Sequence, residues 1–582
     1  MTKASSLSKR NILNWIQEHQ ELILLGCLTL IGWFVRVILA VNTGGQVHPD
    51  EIYQSLEIAH KLKYGGHAFI AWEFQIPSSP EQDGAARSYL FPLLFLIIFE
   101  GCELLGIPYG IDGTLRVVRI FSATWSTLLI PIVFYLSKEL FPAQNKPYIF
   151  SLFAAFLTTV WFPFLFFGIR TLTNSFVAIP IFLAIYLHLL TSKKINEFSS
   201  PKAVVLEFTT GVLLGFACAL RLDSFVFFVP FFLLHHQNNR QTVYFYILIF
   251  LGFAVSFFIQ GQSDLVYYGT FLISPINWMK FNIIEGKSSN FGTESFYYYI
   301  VRIILQPFYT AFFGILFGIL IIKINAAYRY KRKIEDPWFF IILQLLFWFL
   351  ISLGIISLVG HKEDRFIFSL YPVIMIIFGA TMRECFKVLE GIYHNLHPTL
   401  LPKFIIKLVI RQKSLRISQM KFFFITCVLV ILTSAITSIF VDWAHYHDVN
   451  KGLEWVGRQE TSTGVIVLAH WRDIGGWTHL HKNISMFYFE DDPKHNQMWT
   501  HLPPSFNYLV TRQDNYYEQK DLREQINKNF TLVKTIDNRV DIWFLRELNA
   551  TKERKENTNM FSDLDQNTGN LLMKKRVCYI QF

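Results

Sequence analysis

Long uninterrupted runs of apolar residues restrict the fold of this chain more than any other feature. The runs Thr171–Leu190, Tyr244–Gln260, Trp338–Val359 and Phe422–Val441 contain no Asp, Glu, Lys or Arg. A helix needs roughly 20 apolar residues to cross the hydrocarbon core of a bilayer. Buried helices of soluble proteins rarely extend so far with so little charge, so these runs predict a multi-pass integral membrane protein.

The amount and the placement of charge agree with this prediction. Only 16% of the 582 residues are charged, whereas a soluble domain carries about 25%. Much of the net charge of +10 comes from short basic loops between apolar runs, at 323–333 and 387–421. Lys and Arg collect in the cytoplasmic loops of membrane proteins. The excess of positive charge therefore indicates orientation in the membrane, and we expect no nucleic-acid partner.

The basic loops and the basic N-terminus predict a cytoplasmic segment 1–21 and a non-cytoplasmic tail, which together require an odd number of crossings. The segment 224–236, after Arg221 and Asp223, is too short to cross and is predicted to be a half-span. We therefore expect about 11 transmembrane helices. The apolar segments lie at 22–41, 89–107, 119–137, 148–168, 171–191, 204–220, 224–236, 243–261, 301–323, 338–359, 366–383 and 421–441.

The predicted fold class is an all-α polytopic membrane protein with a small C-terminal α/β soluble domain. Residues 22–441 form the transmembrane domain, which includes a polar loop at 42–88, and residues 442–582 form the soluble tail. Three glycosylation sequons, at Asn483, Asn529 and Asn549, agree with a lumenal tail. A polar helix is expected at Tyr516–Asn529. Short apolar runs predict strands at Gly464–Ala469, Ile484–Phe489, Tyr508–Val510, Phe530–Ile536 and Val540–Leu545.

Two adjacent carboxylates beside a histidine follow the first span, in the order His48, Pro49, Asp50, Glu51. The spacing of the apolar residues after Asp50 predicts a helix along the membrane surface that Gly65 ends. Acidic residues are also common in the first turn of a helix because they complement its dipole. A purely stabilising role for Asp50 and Glu51 is therefore an open alternative. The same dipole keeps a carboxylate ionised, which suits a general base.

A second charged cluster, Gly360–Arg365, joins two apolar segments at the same face of the membrane. Lys362 and Arg365 could neutralise a phosphate there, and Arg offers a bidentate contact. A solvated turn is the alternative. Arg170 and Arg221 lie at or near membrane depth, where charge is costly and often functional. An internal pair of Arg221 with Asp223 is the alternative for that arginine.

Several strings together resemble the GT-C class of glycosyltransferases, and within it the mannosyltransferase family of the glycosylphosphatidylinositol (GPI) and lipid-linked-oligosaccharide pathways. The first string looks most like the branch that adds the third mannose to the GPI core. The resemblance covers residues 30 to about 380, and the tail contains no matching motif. The strings are His48–Glu51 with Tyr53–Glu57, Trp72–Phe74, Arg87–Pro92, Arg170–Asn174, Trp278–Asn282 with Phe291–Gly292, and His361–Phe368 with Tyr371–Pro372.

The resemblance implies a GT-C-like fold and the transfer of mannose from a polyprenyl (dolichyl) phosphate to a lipid-linked glycan in the lumen of the endoplasmic reticulum. The matching branch indicates a GPI-anchor precursor as that glycan. Two departures concern the acceptor: an insertion at Gln75–Ala86, and Thr293–Phe296 where the branch has a His-Pro-Trp stretch. A prokaryotic relative in a plasma membrane, with another acceptor, stays open. The donor and acceptor pocket implied by the matching strings contains Gln54, Trp72, Glu73, Arg87, Arg170, Asn174, Lys280 and Asn282.

The chemistry of such a donor fits the charged residues. The leaving group departs as a phosphate and needs little protonation, so one carboxylate that deprotonates the acceptor hydroxyl is sufficient and attack inverts the anomeric carbon. We expect Asp50 as the base, Glu51 as the second candidate, and His48 and His361 as orienting groups. Positive charge on the phosphate would come from Lys362, Arg365 and Arg221 or from a divalent cation, for which no ligand set is identified.

A lipid or sugar transporter or flippase is the alternative from another functional class. It would share the many spans and the intramembrane charges. However, the sequence contains no internal repeat and no paired Gly/Pro-broken segments in two halves, which are typical of transporters. A scaffold role for the tail is a third alternative, and the pattern leaves the oligomeric state undetermined.

Overall fold

The structure is a computed structural model. The residues that it describes are 19–79, 82–141, 148–192, 201–234, 240–304, 307–329, 336–395, 415–439, 447–468, 474–488, 506–512, 526–527, 530–536 and 539–545.

Apolar helices make up most of the described chain. Within it, eight helices are long and apolar enough to cross a membrane, and three shorter apolar helices accompany them. The multi-pass helical architecture expected from the sequence is therefore confirmed. The helices are α1 (Gln20–Asn42), α2 (Glu57–Tyr64), α3 (Leu90–Leu104), α4 (Thr114–Thr127), α5 (Leu129–Leu140), α6 (Tyr148–Val160), α7 (Phe162–Phe166), α8 (Thr173–Ser192), α9 (Pro201–Leu220), α10 (Phe225–Leu234), α11 (Arg240–Tyr268), α12 (Ile273–Met279), α13 (Tyr298–Ile304), α14 (Pro307–Arg329), α15 (Pro337–Ser357), α16 (Tyr371–Asn395), α17 (Leu415–Ile439), α18 (His447–Gly457) and α19 (Gly476–Leu480).

The chain breaks between α9 and α10, at the position that the sequence indicated. Arg221 has an extended backbone and Leu222–Ser224 form a single 3-10 turn before α10 begins. With only ten residues, α10 is about 15 Å long, which is half the thickness of the hydrocarbon core. This break places a charged side chain, that of Arg221, at the end of a span rather than within it.

Close contact between α9 and α11 depends on small residues. A Cβ atom at Gly211 would lie 1.9 Å from the carbonyl oxygen of Ile249, and one at Gly252 would lie 2.1 Å from that of Phe208. Helices in a bilayer pack by such direct backbone approach, because lipid provides no hydrophobic drive for their association.

The polar loop after α1 contains a helix from Asp50 to Tyr64, as predicted, with one π-helical turn at Ile52–Leu56 that leads directly into α2. Gly65 ends this helix with a positive φ of 66°. The sequence predicted that this helix lies along the membrane surface, but its apolar face contacts protein rather than lipid. Ile52 and Ala59 are buried in the main protein core together with Phe95, because α3 and the C-terminal domain cover the helix. We refer to residues 50–64 as the loop helix.

The described part of the C-terminal domain contains a five-stranded mixed sheet together with α18 and α19, in agreement with the predicted α/β class. The strand order is β2-β1-β3-β5-β4, in which β1 is parallel to β2 and β3, and β5 is antiparallel to β3 and β4. The predicted helix at Tyr516–Asn529 and the sequons at Asn529 and Asn549 lie almost entirely outside the described residues. The strands are β1 (Gly464–Leu468), β2 (Ser485–Tyr488), β3 (Tyr508–Arg512), β4 (Phe530–Ile536) and β5 (Val540–Leu545).

Charged side chains mark the two ends of α15, about 30 Å apart. At the residue before it, Asp336 pairs with Lys323 at 2.9 Å and with Lys387 at 3.1 Å. At its other end lies the turn that contains Lys362 and Arg365. The basic side chains of Lys323 and Lys387 and the charged turn near Asp50 thus lie at opposite ends of α15, as the positive-inside pattern predicts.

Accessibility of inserted tags tests the orientation and the domain boundaries, which stay predictions. Tags in the loops around 330 and 400 should be accessible from the cytosol in sealed membranes, and a tag after Phe582 should be protected. Protease protection of the 384–420 loop would contradict the orientation and would move the loop helix to the cytosolic face.

Candidate active site

The side chain of Asp50 forms an ion pair across the ends of the bundle. Its Oδ2 lies 2.7 Å from Nη2 of Arg365, which belongs to the turn between α15 and α16. The two charged clusters that were singled out in the sequence, some 310 residues apart, therefore meet at one face. Burial alone would raise the pKa of Asp50, but the nearby Arg365 and His48 outweigh it, and the pKa lies well below its usual range.

A histidine and a second carboxylate complete this ion pair. Nδ1 of His48 accepts a hydrogen bond from the backbone N–H of Asp50 at 3.1 Å, and its Nε2 lies 3.2 Å from Oε2 of Glu363. Glu363 also contacts Arg365 and the ring of His361, the latter at 2.9 Å. Burial opposes protonation of His48, but the carboxylates of Asp50 and Glu363 more than offset it and raise the pKa of its ring.

Arg221, at the break before α10, approaches the same cluster. Its Nε lies 2.7 Å from Oδ1 of Asp223, so the internal pair considered from the sequence is present, and its Nη1 donates to Oδ1 of Asn174 at 3.1 Å. The guanidinium carbons of Arg221 and Arg365 lie 4.9 and 5.3 Å from the ring centroid of Phe366. This shared aromatic ring brings the two arginines together.

Glu73 and Arg87, two charged residues of the polar loop, border the cluster. Oε1 of Glu73 accepts a hydrogen bond from the side-chain amide of Gln54 at 2.9 Å. Burial raises the pKa of Glu73, although Arg87 opposes this change. Burial lowers the pKa of Arg87, and the positive charge of Arg221 lowers it further. Among the described residues, the buried Nε of Arg87 has no hydrogen-bond partner.

Glu51 lies outside this cluster, although it is adjacent to Asp50. Its carboxylate is buried and accepts hydrogen bonds from the backbone N–H groups of Val47 and His48, at 2.7 and 3.1 Å. Nη1 of Arg170 lies 3.7 Å from the same carboxylate and donates to the carbonyl of Gly45. Glu51 and Arg170 therefore shape the loop before the loop helix, and the predicted role of Glu51 as a second base stays a prediction.

Lys362 also points away from the cluster. Its Nζ donates to the carbonyl oxygens of Glu294 at 2.9 Å and of Val359 at 2.6 Å, at the C-terminal end of α15. Burial lowers the pKa of this amine. To contact a donor phosphate, Lys362 would have to leave these carbonyls, so its predicted phosphate contact remains to be tested.

Aromatic rings border the cluster on the side of the loop 269–297. The ring of Trp72 lies 4.2 Å from that of Phe281, and Phe291 lies 6.1 Å from His361. Two polar residues predicted for the pocket lie on this loop, and their roles stay predictions. The side chain of Lys280 is partly exposed and its Nζ lies 3.7 Å from Glu285, whereas the side-chain amide of Asn282 donates to the carbonyl of Trp278.

Two contributors to the cluster were missed in the sequence. Glu363 lies within the charged run His361–Arg365, but only His361, Lys362 and Arg365 of that run were assigned roles. Phe366 belongs to the matching string His361–Phe368 but was assigned no role, because an aromatic residue is not distinctive in an aromatic-rich chain. Within the described residues, no group of three or more His, Cys, Asp or Glu side chains has the arrangement of a metal site. The divalent cation considered as an alternative stays untested.

Residues 27–481 match the model of the Alg9-like mannosyltransferase family, a range that includes the whole cluster. GPI alpha-1,2-mannosyltransferase 3 of Mus musculus is 24% identical over 337 residues, which cover 57% of this chain and 54% of the mouse protein. Mannosyltransferase APTG1 of Arabidopsis thaliana is 26% identical over 359 residues, which cover 60% of this chain and 57% of the Arabidopsis protein. The chain thus spans little more than half the length of these relatives.

Solved structures share the fold at low identity. ArnT from Cupriavidus metallidurans, in the apo state, superposes with a TM-score of 0.51 and 12% identity over 90% of this chain and 97% of that one. The second structure is the archaeal oligosaccharyltransferase AglB from Archaeoglobus fulgidus in complex with an inhibitory peptide and a dolichol-phosphate. It superposes with a TM-score of 0.50 and 12% identity over 92% of this chain and 75% of that one. These likenesses confirm the expected GT-C-like fold class.

Proposed function

Because the chain belongs to the Alg9-like mannosyltransferase family, we propose that it transfers mannose from a polyprenyl (dolichyl) phosphate to a lipid-linked glycan. The observation that carries the proposal is a carboxylate, Asp50, that is held ionised beside clustered arginines at the end of the membrane spans. A base and cations at one membrane face are what a lipid-bound phosphate sugar requires.

In this reaction Asp50 accepts the proton of the acceptor hydroxyl. The hydroxyl oxygen forms a bond to the anomeric carbon of mannose while the bond from that carbon to the phosphate oxygen breaks. The electron pair of the broken bond leaves with the lipid phosphate, and the anomeric carbon is inverted. His48 orients the carboxylate through its contact with the Asp50 amide at 3.1 Å.

We assign the phosphate to the space near Arg87 and Arg221. These two cations are close enough for the charge of Arg221 to lower the pKa of Arg87, and an anion between them would relieve this repulsion. The unpartnered Nε of Arg87 provides a free donor. Arg365 already contacts Asp50 and Glu363. A phosphate that drew on Arg365 would weaken its hold on Asp50 and make that carboxylate a stronger base.

The GPI precursor is the acceptor that we propose, and the lumen of the endoplasmic reticulum is the proposed location of the site. The names of the relatives from Mus musculus and Arabidopsis thaliana support a mannosyltransferase, and the mouse name supports the GPI acceptor and an α-1,2 linkage. Glu73 with Gln54, hydrogen bonded at 2.9 Å, offers polar groups to sugar hydroxyls beside the base.

A reconstituted transfer assay tests the function. Full-length protein in lipid nanodiscs should transfer labelled mannose from dolichyl-phosphate-mannose to a GPI precursor with two mannoses, and the Asp50→Asn variant should not. Transfer to a lipid-linked oligosaccharide instead would contradict the acceptor. Movement of lipid across proteoliposomes without any transfer would contradict the enzyme assignment in favour of a transporter.

A further inference from the structure

The C-terminal domain contacts the loop helix through one buried carboxylate. Glu57 lies seven residues after Asp50 and its side chain has no exposed surface. Its Oε1 accepts hydrogen bonds from the backbone N–H groups of Trp477 at 3.1 Å and Phe69 at 3.0 Å. Its Oε2 accepts from the backbone N–H of Thr478 at 2.8 Å and from the hydroxyl of Thr478 at 2.5 Å.

This contact is specific to a carboxylate and a glycine. A buried charge is costly unless it is hydrogen bonded, and here the donors surround both oxygens. Gly476, which begins α19, has a φ of 59°. A Cβ atom at Gly476 would lie 2.9 Å from both carboxylate oxygens of Glu57. A larger residue there would displace the domain from the helix.

Other residues of the loop helix, and Gln46 in the loop before it, bind the same segment of the domain. The hydroxyl of Tyr53 and the side-chain amide of Gln46 both donate to the carbonyl of Ile474 at 3.0 Å. Nε2 of His60 lies 3.0 Å from Nδ1 of His481. Residues 474–481 therefore hold the segment 46–60 in place through several hydrogen bonds along its length.

Other residues of the loop helix belong to the candidate active site. Asp50 contacts Arg365, and Gln54 contacts Glu73. A helix transmits a shift at one residue to the residues a turn or two away, because its backbone hydrogen bonds make it rigid. Displacement of about 1 Å at a reacting group can cost about 10² in rate.

We propose that Glu57 is a positioning residue for sugar transfer: by fixing the loop helix to residues 474–481, it holds Asp50 against Arg365. The inference rests on the proposed function of Asp50 as the base. It gives the C-terminal domain a part in the reaction that requires no contact with either substrate.

The kinetics of Glu57→Gln test this role. The amide of Gln places an NH₂ group against backbone N–H donors, whichever way it is oriented, so the hydrogen bonds to one of the two oxygens are lost. In the full-length protein in nanodiscs, kcat should fall by about 10-fold or more, while KM for donor and acceptor changes by less than about 2-fold. Thr478→Val should cause a smaller fall in kcat, and the double variant should lose little more than Glu57→Gln alone.

Glu454→Gln is the matched control. Oε2 of Glu454, on α18, accepts a hydrogen bond from the backbone N–H of Ile111 at 3.0 Å. This is the same kind of contact between the domain and the membrane part, but neither partner is a residue of the loop helix, so kcat should stay within about 2-fold of wild type. Equal losses in Glu57→Gln and Glu454→Gln, or a change confined to KM, would overturn the positioning role.

Hydrogen exchange separates this inference from the proposed function. Backbone amides of residues 46–57 should exchange faster in Glu57→Gln than in wild type or Glu454→Gln. Unchanged exchange would overturn the inference whatever the transfer rate. Faster exchange, together with a wild-type protein that transfers no mannose, would support the contact and count against the proposed function.

Discussion

Asp50→Asn is expected to lower turnover by about 10²–10⁴-fold in a protein that remains folded and inserted in the membrane. Asn has nearly the shape of Asp but cannot accept the proton of the acceptor hydroxyl. It also loses the charge that pairs with Arg365 at 2.7 Å. Initial rates of mannose transfer, measured at saturating donor and acceptor, provide the comparison.

Two variants of the same polar loop control this experiment. Asp83 pairs with Lys287 at 2.9 Å on the surface of the loop, so Asp83→Asn should change turnover by less than about 2-fold. Glu51→Gln should cost less than Asp50→Asn, since Glu51 binds backbone N–H groups of its own loop. Near-normal turnover of Asp50→Asn with complete loss in Glu51→Gln would reverse the two roles. If both variants stayed active, the acidic pair would only stabilise the first turn of the helix.

Arg365→Ala should lower kcat/KM by about 10² or more. The guanidinium contacts both Asp50 and Glu363 and is almost fully buried. Its removal leaves two neighbouring carboxylates without their common counter-ion, which is a strongly destabilising change. Arg365→Lys should recover only part of the loss, because a single ammonium cannot bridge two carboxylates as the planar guanidinium does.

The pH dependence of Arg365→Ala has a definite sign. Arg365 holds the pKa values of Asp50 and Glu363 below their usual range. Without it both pKa values rise, so the base becomes protonated at a higher pH. The acidic limb of kcat/KM against pH should therefore move to higher pH in Arg365→Ala. An unmoved limb would contradict the ion pair as the cause of the lowered pKa.

Arg383→Ala is the matched control for this arginine. Arg383 lies on α16, is equally buried and pairs with Asp336 at 3.4 Å, but at the opposite end of the bundle. Its loss should reduce thermal stability without moving the acidic limb. Lys362→Met adds a direct comparison. A rise in donor KM would support the predicted phosphate contact of Lys362, whereas a loss of stability alone would fit its contacts to carbonyl oxygens.

The sequence by itself determined the parts of this protein that depend on local periodicity. Apolar runs such as Trp338–Val359 must be helical in a bilayer, because every backbone polar group has to be paired within the segment. Short apolar runs bounded by polar residues likewise identified the five strands, and the helical spacing of apolar residues identified the loop helix that begins at Asp50. The string around Asp50, together with the other matching strings, also led to the correct family, because the same residue types occur in the same order in that family.

Only the tertiary structure decided which charged side chains share a site. Asp50 and Glu51 are adjacent in sequence, yet successive helical residues point about 100° apart, so one faces Arg365 and the other its own backbone. Lys362 and Arg365 separate because Lys362 lies in the turn before the 3-10 helix Asp364–Leu370, whereas Arg365 lies within that helix. The pairing of Glu57 with Thr478 joins residues 421 positions apart. Such contacts depend on how helices and domains pack, and packing is set by the whole set of buried surfaces rather than by any local pattern.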